Sequence, residues 1–527
     1  GGGGFGRAAA AGSAAAMGGG GMTSREEQDL YGVLGVGRGA RNIEIRRAYR
    51  NLITREHPDK GGDPERFAAI QKAYDVLSNE SKRRVYDDTG ELEKTVDEEF
   101  MDSFGGGAFK DKLRQAREAE QEQRESVAEQ ITVRQGASAE SHTSGFEAWM
   151  RSRADQGGQV YTADDIVEHF GVAKGSYEPV ALPSIRAFQA VCSQRGPARD
   201  ALEMRQEPIP AELQWGEVLV NVRAAPINPG DLQRVQSEAL GAVEAREEPP
   251  FVGGDEGVGI VVKVGPGVKN LGENDWVLPF KADLGTWRSL AVLKEKDLLK
   301  VPADLMPLEY CAMAKEMCVA YRLLEDFGNL RPGDAVALNG ADSCVGQTAI
   351  QLCGLLRLRT VAVIRDLGDF AKKAAWLKAL GATEVLPDSG ALREGLEELK
   401  FFAKPKLGLD CVGGPSAARL AEILDEGALL VVYGCMSGQS PCWDWSRWVF
   451  QELQVRGFNM RRWMDNNKKR IPSMLEALAK LVNADKLRLT YTEYELGTEF
   501  DEALDHAMEE GRGTKILLKV NDIGSTF

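Results

Sequence analysis

Residues 339–347 read Asn-Gly-Ala-Asp-Ser-Cys-Val-Gly-Gln. They follow the apolar run Ala335–Leu338. After them Val345, Ala349, Leu352 and Leu356 recur at the spacing of one helix face. A strand that turns through small residues into a helix lets backbone N–H groups and the helix N-terminus approach a pyrophosphate. Asn339, Ser343, Val345, Gly346 and Gln347 are the expected contacts. About 20 residues on, where an NAD site places an acid against the ribose 2′-hydroxyl, stands Arg365. A guanidinium there suits a 2′-phosphate, so NADPH is the expected cofactor. The alternative for Arg365 is an ordinary surface arginine at a strand end.

A second group is His57-Pro58-Asp59, where proline ends a helix and leaves a rigid polar tip. Only four histidines exist, His57, His142, His169 and His506. That scarcity excludes most histidine-based metal sites and Ser-His-Asp chemistry. Cys311 and Cys318, or Cys435 and Cys442, read as packed thiols rather than metal ligands.

The elements that must position these groups fall into separate regions. At 527 residues the chain exceeds the ~250–300 residues of a single core, so several domains are expected. A net charge of −15 argues against general nucleic-acid binding. No apolar run reaches the ~18 residues of a membrane span. Eight scattered cysteines imply no disulfide framework and a reducing compartment. Residues 1–25 contain Arg7 and Arg25 and no acid, which reads as an organellar transit segment or a low-complexity tail.

Ile45, Tyr49, Leu52 and Ile53 give residues 43–56 an apolar face, with Arg46, Arg47 and Arg50 on the other side. A second helix over 64–78 aligns Phe67, Ile70, Tyr74 and Leu77. This hairpin with HPD at its tip, followed by AAIQKAYDVLSNESKRRVYDDTG, resembles a DnaJ-type J-domain. The resemblance implies docking on a DnaK-type heat-shock ATPase through His57, Pro58, Asp59 and the arginine face. Glu56 stands where J-domains usually carry an aromatic residue. FGGGAF at 104–109 resembles a stub of the Gly/Phe linker, and residues 110–130 read as a polar spacer helix.

From 181 onward strands alternate with turns: Glu217–Arg223, with Val218, Val220 and Val222 alternating, then Val258–Val264. Later, short apolar strands at Ala335–Leu338, Thr360–Ile364 and Leu429–Val432 are spaced by helices, a parallel βαβ rhythm. APINPGDLQ (225–233), PPFVGGDEGVGIVVKVG (249–265), DLGTWR (283–288), SCVGQTAIQL (343–352), LDCVGG (409–414) and YGCM (433–436) together resemble the medium-chain dehydrogenase/reductases. Among these they are most similar to the mitochondrial trans-2-enoyl-thioester reductases.

The resemblance implies a multidomain chain. An all-α helical-hairpin J-domain (26–92) follows the leader (1–25), and 93–180 is an unassigned connector. A GroES-like β-domain begins at 181–320, an α/β Rossmann domain is inserted at 321–456, and 457–527 returns to the first. It also implies an NADPH-dependent enoyl-thioester reductase without zinc, an acyl carrier protein or CoA substrate, a homodimer through the Rossmann domain, and an organellar matrix (otherwise the cytoplasm). Tyr433 and Lys515 match family cofactor positions. The family's tyrosine, its proposed acid or oxygen donor, falls on Ala239. Asn228 and Gln236 are then the candidate oxygen donors. Two other readings stay open: a degenerate reductase serving as a scaffold, and a zinc-independent quinone reductase. Arg447, Arg456, Arg461, Arg462, Lys468, Lys469 and Arg470 form either a basic rim for an acidic carrier or a solvated helix end.

Overall fold

The computed structural model describes residues 29–56, 64–89, 95–104, 109, 178–236, 248–399, 403–441 and 444–521. The chain divides into two compact units, Gly1–Thr95 and Val96–Phe527.

The first unit holds α1 (Leu30–Leu34), α2 (Asn42–Arg55), α3 (Pro64–Leu77) and α4 (Glu80–Thr89). From the residues the apolar spacing selects, its core takes Ile45, Ile70 and Leu77, buried beside Leu30, Tyr31 and Tyr86, with Tyr49, Leu52 and Tyr74 packed against them, while Ile53 and Phe67 stay half-buried outside it. Tyr49 and Tyr74 stack at 3.9 Å, which fastens α2 to α3. The Leu30 N–H donates to Tyr86 Oη at 3.1 Å and ties the start of α1 to α4. Arg46, Arg47 and Arg50 are exposed on α2. The tip His57-Pro58-Asp59 lies outside the described residues, as do the leader and the spacer helix.

In the second unit, strand β1 (Glu217–Pro226) is central to a seven-stranded sheet, beside β2 (Val258–Val264). Val218 and Val220 face one core cluster while Leu219 faces another with Leu213 and Leu290. The strand is therefore covered on both sides.

Six parallel strands form the second large sheet. In chain order they are β3 (Ala335–Asn339), β4 (Arg359–Ile364), β5 (Glu384–Pro387), β6 (Leu407–Asp410), β7 (Leu429–Val432) and β8 (Gln454–Gly457). Their spatial order is β5-β4-β3-β6-β7-β8. The order reverses between β3 and β6, and a crevice opens outside the carboxyl ends of strands at such a reversal. Then β9 (Tyr491–Glu495) and β10 (Lys515–Lys519) rejoin the first sheet. β10 pairs antiparallel with the end of β1, Leu517 opposite Pro226 and Lys519 opposite Ala224.

Helix α5 (Val96–Ser103) belongs to this second unit, although it falls within the stretch that sequence left unassigned. Phe100, Phe104 and Phe109 are all buried. The Phe104 ring lies 4.8 Å from Tyr321, and Phe100 meets the same tyrosine edge-on at 6.0 Å. Flanking ion pairs, Glu99–Lys480 at 3.2 Å and Asp97–Lys486 at 3.1 Å, are partly exposed and add little. The rings dominate, each worth about 1.5–3 kcal/mol of apolar burial.

Candidate active site

The crevice is built by glycine and by capping. Helix α6 (Pro229–Gln236) follows β1, α7 (Ala314–Asp326) precedes β3, and α8 (Cys344–Leu355) follows it. Ser343 caps α8, its Oγ accepting the Gly346 N–H at 3.1 Å. A Cβ on Gly346 would stand 2.5 Å from the Ala341 carbonyl oxygen, so only glycine lets the first turn of α8 rest on the loop. No acidic side chain occupies that turn. Its free N–H groups and positive end suit a phosphate.

Asn339 is fully buried and wholly engaged. Its Nδ2 donates to Asp410 Oδ1 at 2.6 Å and to Ser416 Oγ at 3.0 Å, and its Oδ1 accepts the Cys411 N–H at 2.9 Å. It joins the ends of β3 and β6 across the reversal. Gln347 is likewise committed, donating to the Asp342 carbonyl at 2.9 Å and accepting the Thr490 N–H at 3.1 Å. Both shape the crevice through protein partners. Val345 is half-buried on the first turn of α8. Arg365 is exposed just past β4, its Nη1 3.0 Å from Glu510 Oε2. An exposed pair of this kind is weak and exchangeable. Burial, then the neighbouring Cys411 thiol, raises the Tyr433 phenol well above its usual range, so it stays a neutral donor.

Across from the crevice lies the turn between β1 and α6. The buried Trp287 donates its Nε1–H to the Pro226 carbonyl at 3.0 Å. The Ile227 N–H donates to Ile516 O at 3.0 Å, and the Asn228 N–H to Asp231 Oδ2 at 2.9 Å. Gly253 and Gly254 lie under Trp287, where a Cβ would come within 2.3–2.5 Å of other side-chain atoms. Gln233 Nε2 donates to the Cys435 carbonyl at 3.1 Å and links α6 to the loop after β7. Gln236 is the exposed last residue of α6, and Ala239 lies outside the described residues.

Behind the turn is a buried ionic cluster. Lys515 Nζ donates to Asn228 Oδ1 and, at 2.5 Å, to Glu316 Oε1. Lys315 Nζ is 2.8 Å from Asp255 Oδ2 and 3.4 Å from Glu256 Oε1. Burial opposes the charge on both lysines. The carboxylates outweigh it, Glu256 and Asp255 for Lys315 and chiefly Glu316 for Lys515, and both ammonium groups titrate above their usual range. Burial and then Asp255 push the Asp231 carboxyl up to about 8. Burial also raises Glu256.

Lys315 and Glu316 escaped the sequence reading. Their signal was an adjacent charged pair in the otherwise apolar run Ala314–Ala320. Within the basic group, Arg461 approaches Asp255 at 3.9 Å, Arg470 pairs with Glu325 at 2.8 Å, and Lys468 sits over the Phe280 ring. Arg462 and Lys469 are exposed. The site therefore sets the capped N-terminus of α8 and the β3–β6 reversal beside the Asn228 amide, with buried charges behind it.

Known proteins carry the same parts. The DnaJ domain family matches residues 29–87. The alcohol dehydrogenase GroES-like domain matches 214–303, and the zinc-binding dehydrogenase family 344–480. Among the described residues no group of three or more His, Cys, Asp or Glu is placed to hold a metal. The mitochondrial enoyl-[acyl-carrier-protein] reductase of Homo sapiens is 35% identical over 351 residues, 66% of this chain and 92% of the relative. That of Dictyostelium discoideum is 36% identical, covering 62% of this chain and 93% of the relative. The solved Etr1p/NADP/crotonyl-CoA complex superposes with a TM-score of 0.55 at 28% identity, over 64% of this chain and all of that one. The 2-enoyl thioester reductase Etr1p/Etr2p heterodimer from Candida tropicalis gives 0.55 at 29%, with the same coverage.

Proposed function

Because the chain belongs to the enoyl-[acyl-carrier-protein] reductase family and carries a DnaJ domain ahead of it, we propose that its second unit reduces trans-2-enoyl thioesters with NADPH. The reaction adds hydride to C3 and a proton to C2, turning a crotonyl thioester, NADPH and a proton into a butyryl thioester and NADP⁺. The observation that carries this reading is the Asn228 amide held on the far side of a crevice framed by Gly346 and the Asn339–Asp410 link. NADPH supplies the hydride when bound. The N-terminus of α8 holds its pyrophosphate, and Arg365 takes the 2′-phosphate in exchange for Glu510. Asn228 donates to the thioester oxygen as negative charge grows there. Ala239 brings no hydroxyl, so the C2 proton comes from solvent.

Several partners follow from the same reading. Exposed Arg462 and Lys469 suit the phosphates of CoA or an acidic acyl carrier protein. The edge strand β8 is exposed along its whole length beside Trp445, Trp448 and Phe450, which suits a second copy of the chain. Arg46, Arg47 and Arg50 suit the acidic face of a DnaK-type ATPase. The mitochondrial names of the family members support a mitochondrial matrix location for this chain.

Ala239 favours one second reading, quinone reduction, which needs no proton-donating tyrosine. The test is NADPH oxidation by the full chain with crotonyl-CoA, crotonyl-acyl carrier protein and a benzoquinone. Butyryl thioester as product supports the first reading. Quinone turnover with inert crotonyl thioesters establishes the second, and cofactor binding without turnover leaves a scaffold.

A further inference from the structure

We propose that Lys515, held by Glu316, is a positioning residue that fixes the Asn228 side-chain amide with its amino group toward the reacting thioester oxygen. This rests on the enoyl-reductase reading above and assigns Lys515 a task other than direct contact with the cofactor.

The backbone of the turn is already fixed. Trp287 holds the Pro226 carbonyl, Ile516 takes the Ile227 N–H, and Asp231 takes the Asn228 N–H. What remains free is rotation of the Asn228 side chain, including the end-for-end flip of its amide. An ammonium group carries three donors and no acceptor. Lys515 Nζ can therefore engage only the amide oxygen, which decides an orientation that heavy-atom positions alone leave open. With Oδ1 turned to Lys515, Nδ2 faces the other way. Among the described residues it has no protein hydrogen-bond partner.

Lys515 is 5% exposed, and a lysine so buried would shed its proton without compensation. Glu316 Oε1 at 2.5 Å supplies that compensation from α7. Neutral lysine could accept a hydrogen bond and would tolerate the flipped amide. The charge is therefore what makes the orientation single-valued. A flipped amide would present Oδ1 to an oxygen gaining negative charge, and the donor would become a repulsive acceptor.

The test uses the full chain with Lys515→Met, Lys515→Arg, Lys515→Met/Glu316→Gln, Asn228→Ala and Lys515→Met/Asn228→Ala. Loss of one well-aimed donor to a developing oxyanion costs about 10²–10³ in kcat. We expect Asn228→Ala to lose that much with crotonyl-CoA and Lys515→Met at least 10-fold. NADPH affinity, read by nucleotide fluorescence, should stay within twofold of wild type. The Lys515→Met/Asn228→Ala variant should be no slower than Asn228→Ala, because the lysine acts only through the asparagine. Lys515→Arg, another donor-only cation, should recover part of the rate. If Lys515→Met fails to fold around unpaired Glu316, the Glu316→Gln combination replaces it.

A second readout is independent of turnover. Crotonyl-CoA bound in the presence of NADP⁺ should show its thioester C=O Raman band lowered from the solution value. The band should return toward that value in Asn228→Ala and Lys515→Met. A band that is shifted in wild type and restored in both variants, with no turnover in any, sustains the positioning role and sinks the reductase reading. The proposal is overturned by an unshifted band in wild type, or by one that Lys515→Met leaves unchanged. It is equally overturned if Lys515→Met weakens NADPH binding while kcat at saturation is kept.

Discussion

Replacing Lys315 with methionine keeps most of the side-chain volume at the start of α7 and removes one buried positive charge. Lys315 bridges Asp255 and Glu256. Asp255 keeps the Asp283 N–H at 2.7 Å and Arg461 at 3.9 Å. Glu256 is worse placed, since its Oε2 is already buried without a hydrogen bond and Lys315 is its ion-pair partner, with Lys515 acting on it more weakly. Breaking a buried pair from one side strands the other charge at a cost of about 3–5 kcal/mol. The variant should lose that much in denaturant unfolding at pH 8. Adding Glu256→Gln removes the stranded charge, and the double variant should regain about 1–3 kcal/mol over Lys315→Met. The sign with pH is fixed. Burial already raises the Glu256 carboxyl, and loss of Lys315 raises it further. A carboxyl whose folded pKa lies above its unfolded value, about 4.3, favours the folded state below that value and penalises it as pH climbs through the folded pKa. The deficit of Lys315→Met should therefore be larger at pH 8 than at pH 5. A loss under about 1 kcal/mol at pH 8, or strict additivity in the double variant, would refute the account.

Two further predictions follow from other parts of the molecule. Phe104→Ala should cost the second unit about 3–5 kcal/mol by thermal unfolding and leave the transition of residues 29–89 in place, because the ring packs on Tyr321. Arg365→Ala should weaken NADPH about ten- to a hundredfold by fluorescence titration and leave NADH affinity unchanged, the loss of one charge-assisted contact.

Sequence exposed those parts whose geometry is local. The β3–turn–α8 unit announces itself through small residues between two apolar patterns, and the hairpin of α2 and α3 through its helical spacing. What stayed hidden needs contacts made across the chain. Lys515 reaches Asn228 over 287 positions and Glu316 over 199, so no spacing rule joins them. Phe104 finds Tyr321 only after α7 exists, and α5 read as connector for that reason. Asn339 was singled out for the cofactor, yet a buried amide must satisfy its own polar atoms first. Here Asp410, Ser416 and Cys411 do so. The basic group was legible as charge. That Arg461 and Arg470 already answer Asp255 and Glu325 was not.

The pairing of β10 with β1 also sets an order of events during translation. The 287 positions between Asn228 and Lys515 take about 15–60 s to synthesise at 5–20 residues per second. For that interval the Ala224–Pro226 end of β1 waits without β10 on one side, and the turn lacks the lysine that orients it. An unpaired apolar strand edge on a ribosome-bound chain invites wrong partners. The helices of 30–89 close on one another within that one stretch, which is synthesised in full before the wait begins. A nascent chain therefore already carries all of its DnaJ-domain sequence while the end of β1 lacks β10.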